Sequence, residues 1–223
     1  MKKMYDLHTH SILSDGILIP SEIAVRYGSL GFKTIAITDH VDYSNYKNII
    51  SSIVEFTKRW PKDSSIKVLP GVELTHLPLE QFKPLSKYAR KKGIKVIVAH
   101  GETLSEPVVE GTNRAALEAG VDILAHPGNI KKEDVELAKR KGIFLEITTR
   151  ASHAGGNNHL VNLAKEIKCV RLILNTDSHA PSDIITPDAI KKNALSCALT
   201  AEGIEDIYKD VTIFIKHSLG KFA

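Results

Sequence analysis

The chain has 223 residues, of which 43% are hydrophobic and 25% are charged. This composition is typical of a globular protein and excludes a fibrous, disordered or membrane-embedded chain. The formal charge of +4 is compatible with an anionic ligand, but it is too small to indicate a nucleic-acid partner by itself. We expect one domain that spans residues 1–223.

Neither a leader peptide nor a membrane span is predicted. The first residues run directly into polar histidines, and no apolar run reaches the roughly 18 residues that a bilayer span requires. Cys169 and Cys197 form no C-x-x-C pair, so neither a disulfide framework nor a thiolate zinc site is indicated. We therefore expect a cytoplasmic protein without a membrane partner.

Short apolar segments rich in β-branched residues alternate with longer segments of helical periodicity. Seven strands are predicted, at 4–8, 34–38, 67–72, 95–99, 122–125, 144–148 and 171–175. Helices are predicted at 20–30, 49–60, 79–92, 111–119, 132–141, 160–167, 187–199 and 201–218. Because strands such as Ile35-Ala36-Ile37 are apolar on both faces, they indicate a parallel sheet that is covered on both sides.

Four of the predicted helices stop at a glycine just ahead of the next strand: Gly31, Gly93, Gly120 and Gly142. Glycine accepts the left-handed conformation that commonly closes a helix. An open doubly wound sheet would show the same alternation, but it would spread the residues that follow its strands along a line. A barrel gathers them around one mouth, and we predict an α/β fold of this kind, a distorted TIM-like (β/α)7 barrel.

Almost every predicted strand is followed by a residue that can bind a metal. The histidines in such positions are His8, His10, His40, His100, His126 and His179, and the acids are Glu73 and Asp177. His8 and His10 are two residues apart on a strand, so their side chains project from the same face. Asp177 and His179 have the same spacing near the last strand, which lies beside the first strand in a closed barrel.

Imidazole nitrogen together with carboxylate oxygen suits zinc, manganese or iron, whereas magnesium and calcium prefer oxygen ligands. Since no cysteine takes part, the predicted sites are open and hydrolytic rather than closed and structural. A single histidine at a strand end is more often a hydrogen-bonded structural residue. Burying six unpaired imidazoles at one rim would be costly, so the set as a whole indicates a metal cluster.

The ordered motifs resemble the PHP superfamily, named for polymerase and histidinol phosphatase domains. They are His8-Thr9-His10 with its polar loop, Thr38-Asp39-His40, Gly71-Val72-Glu73, His100, His126-Pro127 and Asp177-Ser178-His179. The resemblance implies a distorted seven-stranded barrel with its metal site at the C-terminal mouth. It also implies two to three divalent metal ions, which would be zinc, manganese or iron.

The resemblance further assigns ligands to individual ions. The first ion would be held by His8, His10, Glu73 and Asp177. Glu73 would bridge to a second ion, held by His100 and His126, and a third ion would be held by Asp15, His40 and His179. Asp15 departs from the pattern, because many similar proteins have histidine there, and an aspartate before Gly16 also fits a simple turn.

The predicted chemistry is hydrolysis of a phosphate ester by metal-activated hydroxide, which requires no protein nucleophile. The predicted catalytic residues are Glu73, as the bridging ligand, and Asp177 and His179, which would position the water or protonate the leaving alcohol. Arg150 and His153 follow the sixth predicted strand, and we expect them to bind the phosphate of a small anionic substrate. The run at 155–158 is predicted to be mobile, and His76 is predicted to be structural.

Three functions remain open from the sequence. The first is a small-molecule phosphomonoesterase that resembles histidinol-phosphate phosphatase. The second is a phosphodiesterase or exonuclease that acts on nucleic-acid ends, which the absence of a polymerase domain within these residues disfavours. The third is a catalytically silent barrel that serves as an RNA-binding subunit, which would be expected to lack several of the ligands. The sequence leaves the oligomeric state open.

Overall fold

The computed structural model describes residues 4–220, in which parallel strands alternate with helices. The strands are β1 (Tyr5–Asp6), β2 (Thr34–Ile37), β3 (His40–Val41), β4 (Lys67–Leu74), β5 (Val96–His100), β6 (Ile123–Ala125), β7 (Phe144–Thr148) and β8 (Leu172–Asn175). The α-helices are α1 (Pro20–Ser29), α2 (Tyr46–Arg59), α3 (Phe82–Lys91), α4 (Thr112–Ala119), α5 (Lys132–Lys141), α6 (Asn157–Ile167), α7 (Pro187–Ser196) and α8 (Ala201–Gly220). Short 3-10 turns lie at Leu79–Gln81, Ala154–Gly156 and Pro181–Asp183.

The strands form a nearly closed barrel in the order β1-β2-β4-β5-β6-β7-β8, and each of these pairings is parallel. β2 pairs with the first half of β4, and β3 pairs with its second half. β2 and β3 therefore occupy one position in the barrel, interrupted at Thr38 and Asp39. The described residues thus form seven strand positions, which confirms the predicted distorted seven-stranded barrel.

The barrel is closed between β1 and β8 by a seam that has no regular ladder of hydrogen bonds. One isolated bridge joins Thr9 to Ser178, and the amide of His10 donates to the carbonyl of Ser178 at 2.8 Å. Side chains reinforce this β1–β8 seam, since the amide of Leu7 donates to Oδ1 of Asn175 at 2.9 Å. The seam brings the residues after β1 next to those after β8.

A buried polar network holds the same seam from the side of α1. The hydroxyl of Tyr27 lies 2.9 Å from Oδ2 of Asp6, 2.7 Å from Oγ1 of Thr176 and 3.0 Å from Oγ of Ser178. Oδ2 of Asp6 also accepts a hydrogen bond from the amide of Thr176 at 3.2 Å. Because these groups are buried, each of them needs such a partner.

The hydrophobic core lies inside the barrel and between the barrel and its helices. Every residue of β2, β5 and β7 is buried, as expected for strands that are covered on both faces. The helices contribute one apolar face each, as α2 does with Ile49, Ile50 and Ile53. Among residues 4–220, no helix combines the length and the apolar character needed to cross a bilayer.

Most predicted elements are confirmed, and the differences are local. The four glycines predicted to close helices all have positive φ, between +67° and +102°. The predicted helix at 79–92 is divided into a 3-10 turn and α3, and α2 begins earlier than predicted, at Tyr46. The prediction of a mobile run at 155–158 is wrong, because these residues form a 3-10 turn and the start of α6. Buried Asn157 anchors them by donating to the carbonyl of Thr148 at 2.8 Å.

Candidate metal centre

The predicted site residues meet at the C-terminal mouth of the barrel, where a cavity of about 430 Å³ opens. Those that line this cavity are Asp15, His40, His100, His126, Arg150, His153, Asp177 and His179. His8, His10 and Glu73 lie next to them and are almost completely buried. The barrel therefore gathers all of the predicted site residues in one place, as the closed arrangement of strands requires.

The innermost group consists of His8, His10, Glu73 and Asp177. Oδ1 of Asp177 lies 3.5 Å from Nε2 of His8 and 3.2 Å from Nε2 of His10. Glu73 faces the same two nitrogens, with Oε1 at 3.3 Å from His8 and Oε2 at 3.6 Å from His10. Ligands that share one ion at bond lengths of about 2.0–2.2 Å are separated by distances of this size. These are the four residues predicted to hold the first ion.

The group predicted for the second ion is only partly brought together. Nε2 of His126 lies 3.7 Å from Oε1 of Glu73, and the rings of His126 and His100 are 4.5 Å apart. The carboxylate in contact with His100, however, belongs to Glu106, whose Oε1 lies 2.6 Å from Nε2 of His100. His100 is thus adjacent to the centre, but its outer nitrogen is directed to a residue that the sequence analysis did not predict.

The third predicted group comes together around Asp15. Oδ1 of Asp15 lies 3.5 Å from Nε2 of His40, and Oδ2 lies 3.3 Å from Nε2 of His179. A ligand atom from each of these three residues and from His10 lies within 4.8 Å of the others. Although partial burial would raise the pKa of Asp15, the hydrogen bonds with His179 and His40 hold it well below its usual range. Asp15 therefore faces the histidines as an ionised carboxylate.

The loop that carries Asp15 is fixed by the buried carboxylate of Asp39. Oδ1 of Asp39 accepts hydrogen bonds from the amide of Ser11 at 2.7 Å and from the hydroxyl of Ser14 at 2.8 Å. Oδ2 accepts a third bond from the hydroxyl of Ser11 at 2.8 Å. Asp39 lies at the interruption between β2 and β3, and its carboxylate holds the neighbouring loop in place from there.

Two residues of the centre adopt a backbone conformation that side chains seldom accept. His126 has a φ of +28° and Asp177 has a φ of +52°. Positive φ at residues other than glycine costs free energy and persists where the surrounding structure enforces it. Such conformations concentrate at functional sites, and here they direct two of the predicted ligands toward the mouth.

Several buried nitrogen atoms of the centre have no hydrogen-bond partner among the described residues. Within residues 4–220, no hydrogen bond is made by Nε2 of His8, by either ring nitrogen of His10 or by Nδ1 of His126. Burial holds the pKa values of His10 and His126 well below the usual range, so these rings are neutral and carry a lone pair. Burial alone would raise the pKa of Glu73, but His8 and His40 lower it well below the usual range. Neutral imidazoles beside an ionised carboxylate are a donor set that fits divalent cations.

Glu146 is a member of the centre that the sequence analysis missed. It is fully buried in β7, and its Oε2 accepts hydrogen bonds from Nδ1 of His8 at 2.7 Å and from Nδ2 of Asn175 at 2.8 Å. A carboxylate on one imidazole nitrogen fixes the other nitrogen as the ligand atom. The signal that could have revealed it is an acidic residue in the middle of an otherwise apolar strand.

The predicted substrate residues lie beside the ligand groups. Nη1 of Arg150 donates to the carbonyl of Asp177 at 3.0 Å and to Nδ1 of His179 at 2.7 Å. His153 stacks on His126 with ring centroids 4.5 Å apart, and its Nδ1 lies 2.7 Å from Oγ of Ser105. Arg150 therefore brings a permanent positive charge to the cavity, next to the residues that follow β8.

The chain is similar to a known family and to several known proteins. A model of the PHP domain matches residues 6–168. An uncharacterised protein of Methanocaldococcus jannaschii is 44% identical over 207 residues, which cover 91% of this chain and 93% of that protein. The DNA polymerase/3'-5' exonuclease PolX of Bacillus subtilis is 26% identical over 196 residues, which cover 78% of this chain but 34% of PolX.

Among solved structures, the histidinol phosphate phosphatase of Lactococcus lactis superposes with a TM-score of 0.63 at 18% identity. The superposition covers 89% of this chain and 95% of the phosphatase, and at this level of identity it establishes the fold alone. The match to the PHP model extends over most of the chain and includes five of the six motifs quoted from the sequence. The chain belongs to the PHP domain family.

Proposed function

We propose that this protein is a metal-dependent phosphoesterase that hydrolyses a small-molecule phosphate monoester. The observation that carries the proposal is the set of buried ring nitrogens of His8, His10 and His126 that form no hydrogen bond within residues 4–220, beside the buried carboxylate of Glu73. Burying such groups costs several kcal/mol unless they are paired or coordinate a metal. Their position beside an open cavity lets a substrate reach the ions that they would bind.

The proposal assigns the first ion to His8, His10, Glu73 and Asp177. It assigns a third ion to Asp15, His40 and His179, and it places a second ion near His100 and His126, with Glu73 between them. When bound, divalent ions supply Lewis acidity toward phosphoryl oxygens and lower the pKa of water to near neutrality. Zinc, manganese and iron are the metals that suit this mixture of imidazole and carboxylate.

The remaining roles fall to side chains at the mouth. Arg150 holds the phosphate group through its planar guanidinium, which forms charge-assisted hydrogen bonds to phosphate. His153, which lines the same cavity, provides a further donor to the substrate. Asp177 and His179 would position the attacking water, and the proton that this water releases balances the one that the leaving alcohol takes up. The cavity of about 430 Å³ lies at the lower end of the range for ligand pockets, which suits a small ester.

The comparisons support a phosphate monoester as the substrate class. The solved structure from Lactococcus lactis is of a histidinol phosphate phosphatase in complex with zinc, L-histidinol and phosphate. That protein has nearly the same extent as this chain, since the superposition covers 95% of it.

The second candidate function is cleavage of phosphodiesters at nucleic-acid ends. The observation that favours it is the similarity to PolX, a DNA polymerase and 3'-5' exonuclease. The matching region is 34% of PolX, so the activity of the whole polymerase does not transfer to this chain. Hydrolysis of a diester and of a monoester would use the same ions, and an alcohol would leave in both reactions. The two substrates differ in whether phosphorus keeps a second ester group.

The experiment that tests the proposal measures metal content and hydrolysis in the same preparation. Purified protein would be analysed by mass spectrometry for bound metals. It would then be assayed for phosphate release from histidinol phosphate, sugar phosphates and nucleoside monophosphates, and for cleavage of oligonucleotides. Glu73→Gln should lose metal and turnover together, whereas Glu80→Gln, at an exposed position in the 3-10 turn that precedes α3, should retain both. A preparation that binds no metal and hydrolyses no ester would contradict the proposal.

A further inference from the structure

A second cavity, of about 440 Å³, lies around the N-terminal end of β4, whereas the metal centre lies at the C-terminal ends of the strands. We call this cavity the basal groove. Its walls come from the last turns of α2, the first residues of β4 and the turn before β5. The residues that matter for its chemistry are the apolar Val54, Trp60 and Val68 and the lysines Lys58, Lys62 and Lys67.

The groove exists because β4 begins earlier than its neighbour β5. β4 pairs with β2 from Lys67 onward, but it pairs with β5 only from Gly71 onward. The turn before β5 carries Gly93, which lines the groove with a φ of +102° and has no side chain to fill the space. The first four residues of β4 therefore have a strand neighbour on one side only, and the groove lies on the other side.

The floor of the groove is apolar. Val68 is 8% exposed, and Val54 and Trp60 are half-buried. Nε1 of Trp60 donates to the carbonyl of Ile66 at 3.0 Å, which fixes the indole beside the groove. Because these side chains do not project into solvent, they form a recess that a small ligand must enter rather than a surface that inserts into a membrane.

All of the charged side chains that line the groove are lysines. Lys58 lies in the last turn of α2, where a positive charge also favours the helix dipole, but Lys62 and Lys67 lie outside the helix. Among the described residues, none of the three lysines has a carboxylate within 4.0 Å. Asp63 follows Lys62 in the chain but does not line the groove. The groove therefore combines an apolar floor with uncompensated positive charge.

We infer that the basal groove binds a small alkyl carboxylate, whose chain covers the apolar floor and whose carboxylate meets the lysines. A doubly charged phosphate is favoured at the N-terminus of a helix, whereas the groove meets the C-terminus of α2. A single carboxylate therefore fits better than an alkyl phosphate. The inference is independent of the proposed function, because the residues that line the groove do not line the cavity of the metal centre.

The test is a fluorescence titration of the full-length protein with octanoate. Trp60 is the only tryptophan in the sequence, so its emission reports a ligand in the groove. Octanoate should bind more tightly than the uncharged 1-octanol, and octylammonium should bind least. The affinity should also rise by up to about fourfold for each methylene group added between hexanoate and octanoate, because each methylene buries further apolar surface.

Lys58→Gln and Lys62→Gln should each weaken the binding of octanoate by about twofold to fivefold, which is the effect of one exposed ion pair. Both variants should bind 1-octanol as the wild type does. The matched control is Lys141→Gln, at the exposed C-terminal end of α5, which should leave the affinity for octanoate unchanged. Val54→Phe should fill the groove and abolish the binding of both ligands, and circular dichroism should show that the variants are folded.

Three results would overturn the inference: unchanged emission of Trp60 in millimolar octanoate, equal binding of octanoate and octylammonium, or tighter binding of octyl phosphate. A wild type that elutes as a dimer while Val54→Phe elutes as a monomer would assign the groove to a second copy of the chain, and it would also overturn the inference. These measurements do not depend on metal content or turnover. Their failure would therefore leave the proposed phosphoesterase function untouched.

Discussion

Nδ1 of His8 and Oε2 of Glu146 lie 2.7 Å apart, and both side chains are fully buried. The contact leaves Nε2 of His8 facing Glu73 and Asp177, at 3.3 and 3.5 Å. Glu146 is held in turn by Asn175, whose amide donates to the same oxygen at 2.8 Å. Through Glu146 and Asn175, β7 and β8 determine the orientation of His8, which follows β1.

We expect Glu146→Gln to weaken metal binding by about 10–100-fold, because the charged partner that fixes His8 and increases its basicity is lost. Competition with a chromophoric chelator would measure the affinity. Glu118→Gln, at an exposed position on α4, is the matched control. Unchanged affinity in Glu146→Gln would show that Glu146 fills space without orienting His8.

Removal of divalent ions should lower the thermal stability of the protein. An ion present at 100 times its Kd stabilises the folded state by about 2.7 kcal/mol. In a chain of this size, each kcal/mol shifts Tm by about 2–4 °C. Differential scanning calorimetry with and without a chelator should therefore show a difference of about 5–10 °C. In Glu73→Gln the chelator should have little effect, and an unchanged Tm in the wild type would contradict a buried ion.

Asp15→Ala should remove the third ion and leave the inner ion in place. Asp15 is the only carboxylate within 4.0 Å of Nε2 of both His40 and His179 among the described residues. The number of metal ions per chain, measured by mass spectrometry at saturating zinc, should fall by one relative to the wild type. Asp63→Ala, in an exposed loop, should leave the number unchanged. Equal metal content in both variants would indicate that Asp15 is a turn residue alone.

Tyr27→Phe should destabilise the β1–β8 seam. The substitution removes the hydroxyl that contacts Asp6, Thr176 and Ser178 and leaves a buried carboxylate with one hydrogen bond fewer. Leaving a buried polar group short of a partner costs about 1–3 kcal/mol, which urea denaturation would measure. Tyr43→Phe, whose side chain is 46% exposed, should change the free energy of unfolding by less than about 0.5 kcal/mol. Equal effects in the two variants would argue against the network.

The strand ends could be predicted from the sequence because their signal is local. A run such as Val96 to His100 is apolar on both faces and ends in a polar residue, and a parallel barrel places every such end at one mouth. From their positions after predicted strands, His8, His40 and Asp177 were predicted to lie at the same centre. It does not depend on the path of the loops.

The parts that were missed depend on contacts between distant segments. In the sequence, Glu146 is one residue of a predicted strand, and nothing local indicates that it contacts Nδ1 of His8. Glu106 lies in a loop whose course determines whether it meets His100 or faces solvent, and no spacing rule encodes that course. The closed barrel predicted that the last strand lies beside the first, but it did not predict the individual contacts of the seam, such as the bond from Leu7 to Asn175 across 168 positions of the chain.

The β1–β8 seam also sets the order in which the centre can be built. The amide of His10 is bonded to the carbonyl of Ser178, so His10 receives its final neighbours only after the segment up to Ser178 has been synthesised. Contacts between such distant segments form slowly, because the intervening loop must close before they stabilise anything. A nascent chain that ends before Asp177 lacks one of the four side chains of the inner group, so the inner group can form only after Asp177 has been synthesised.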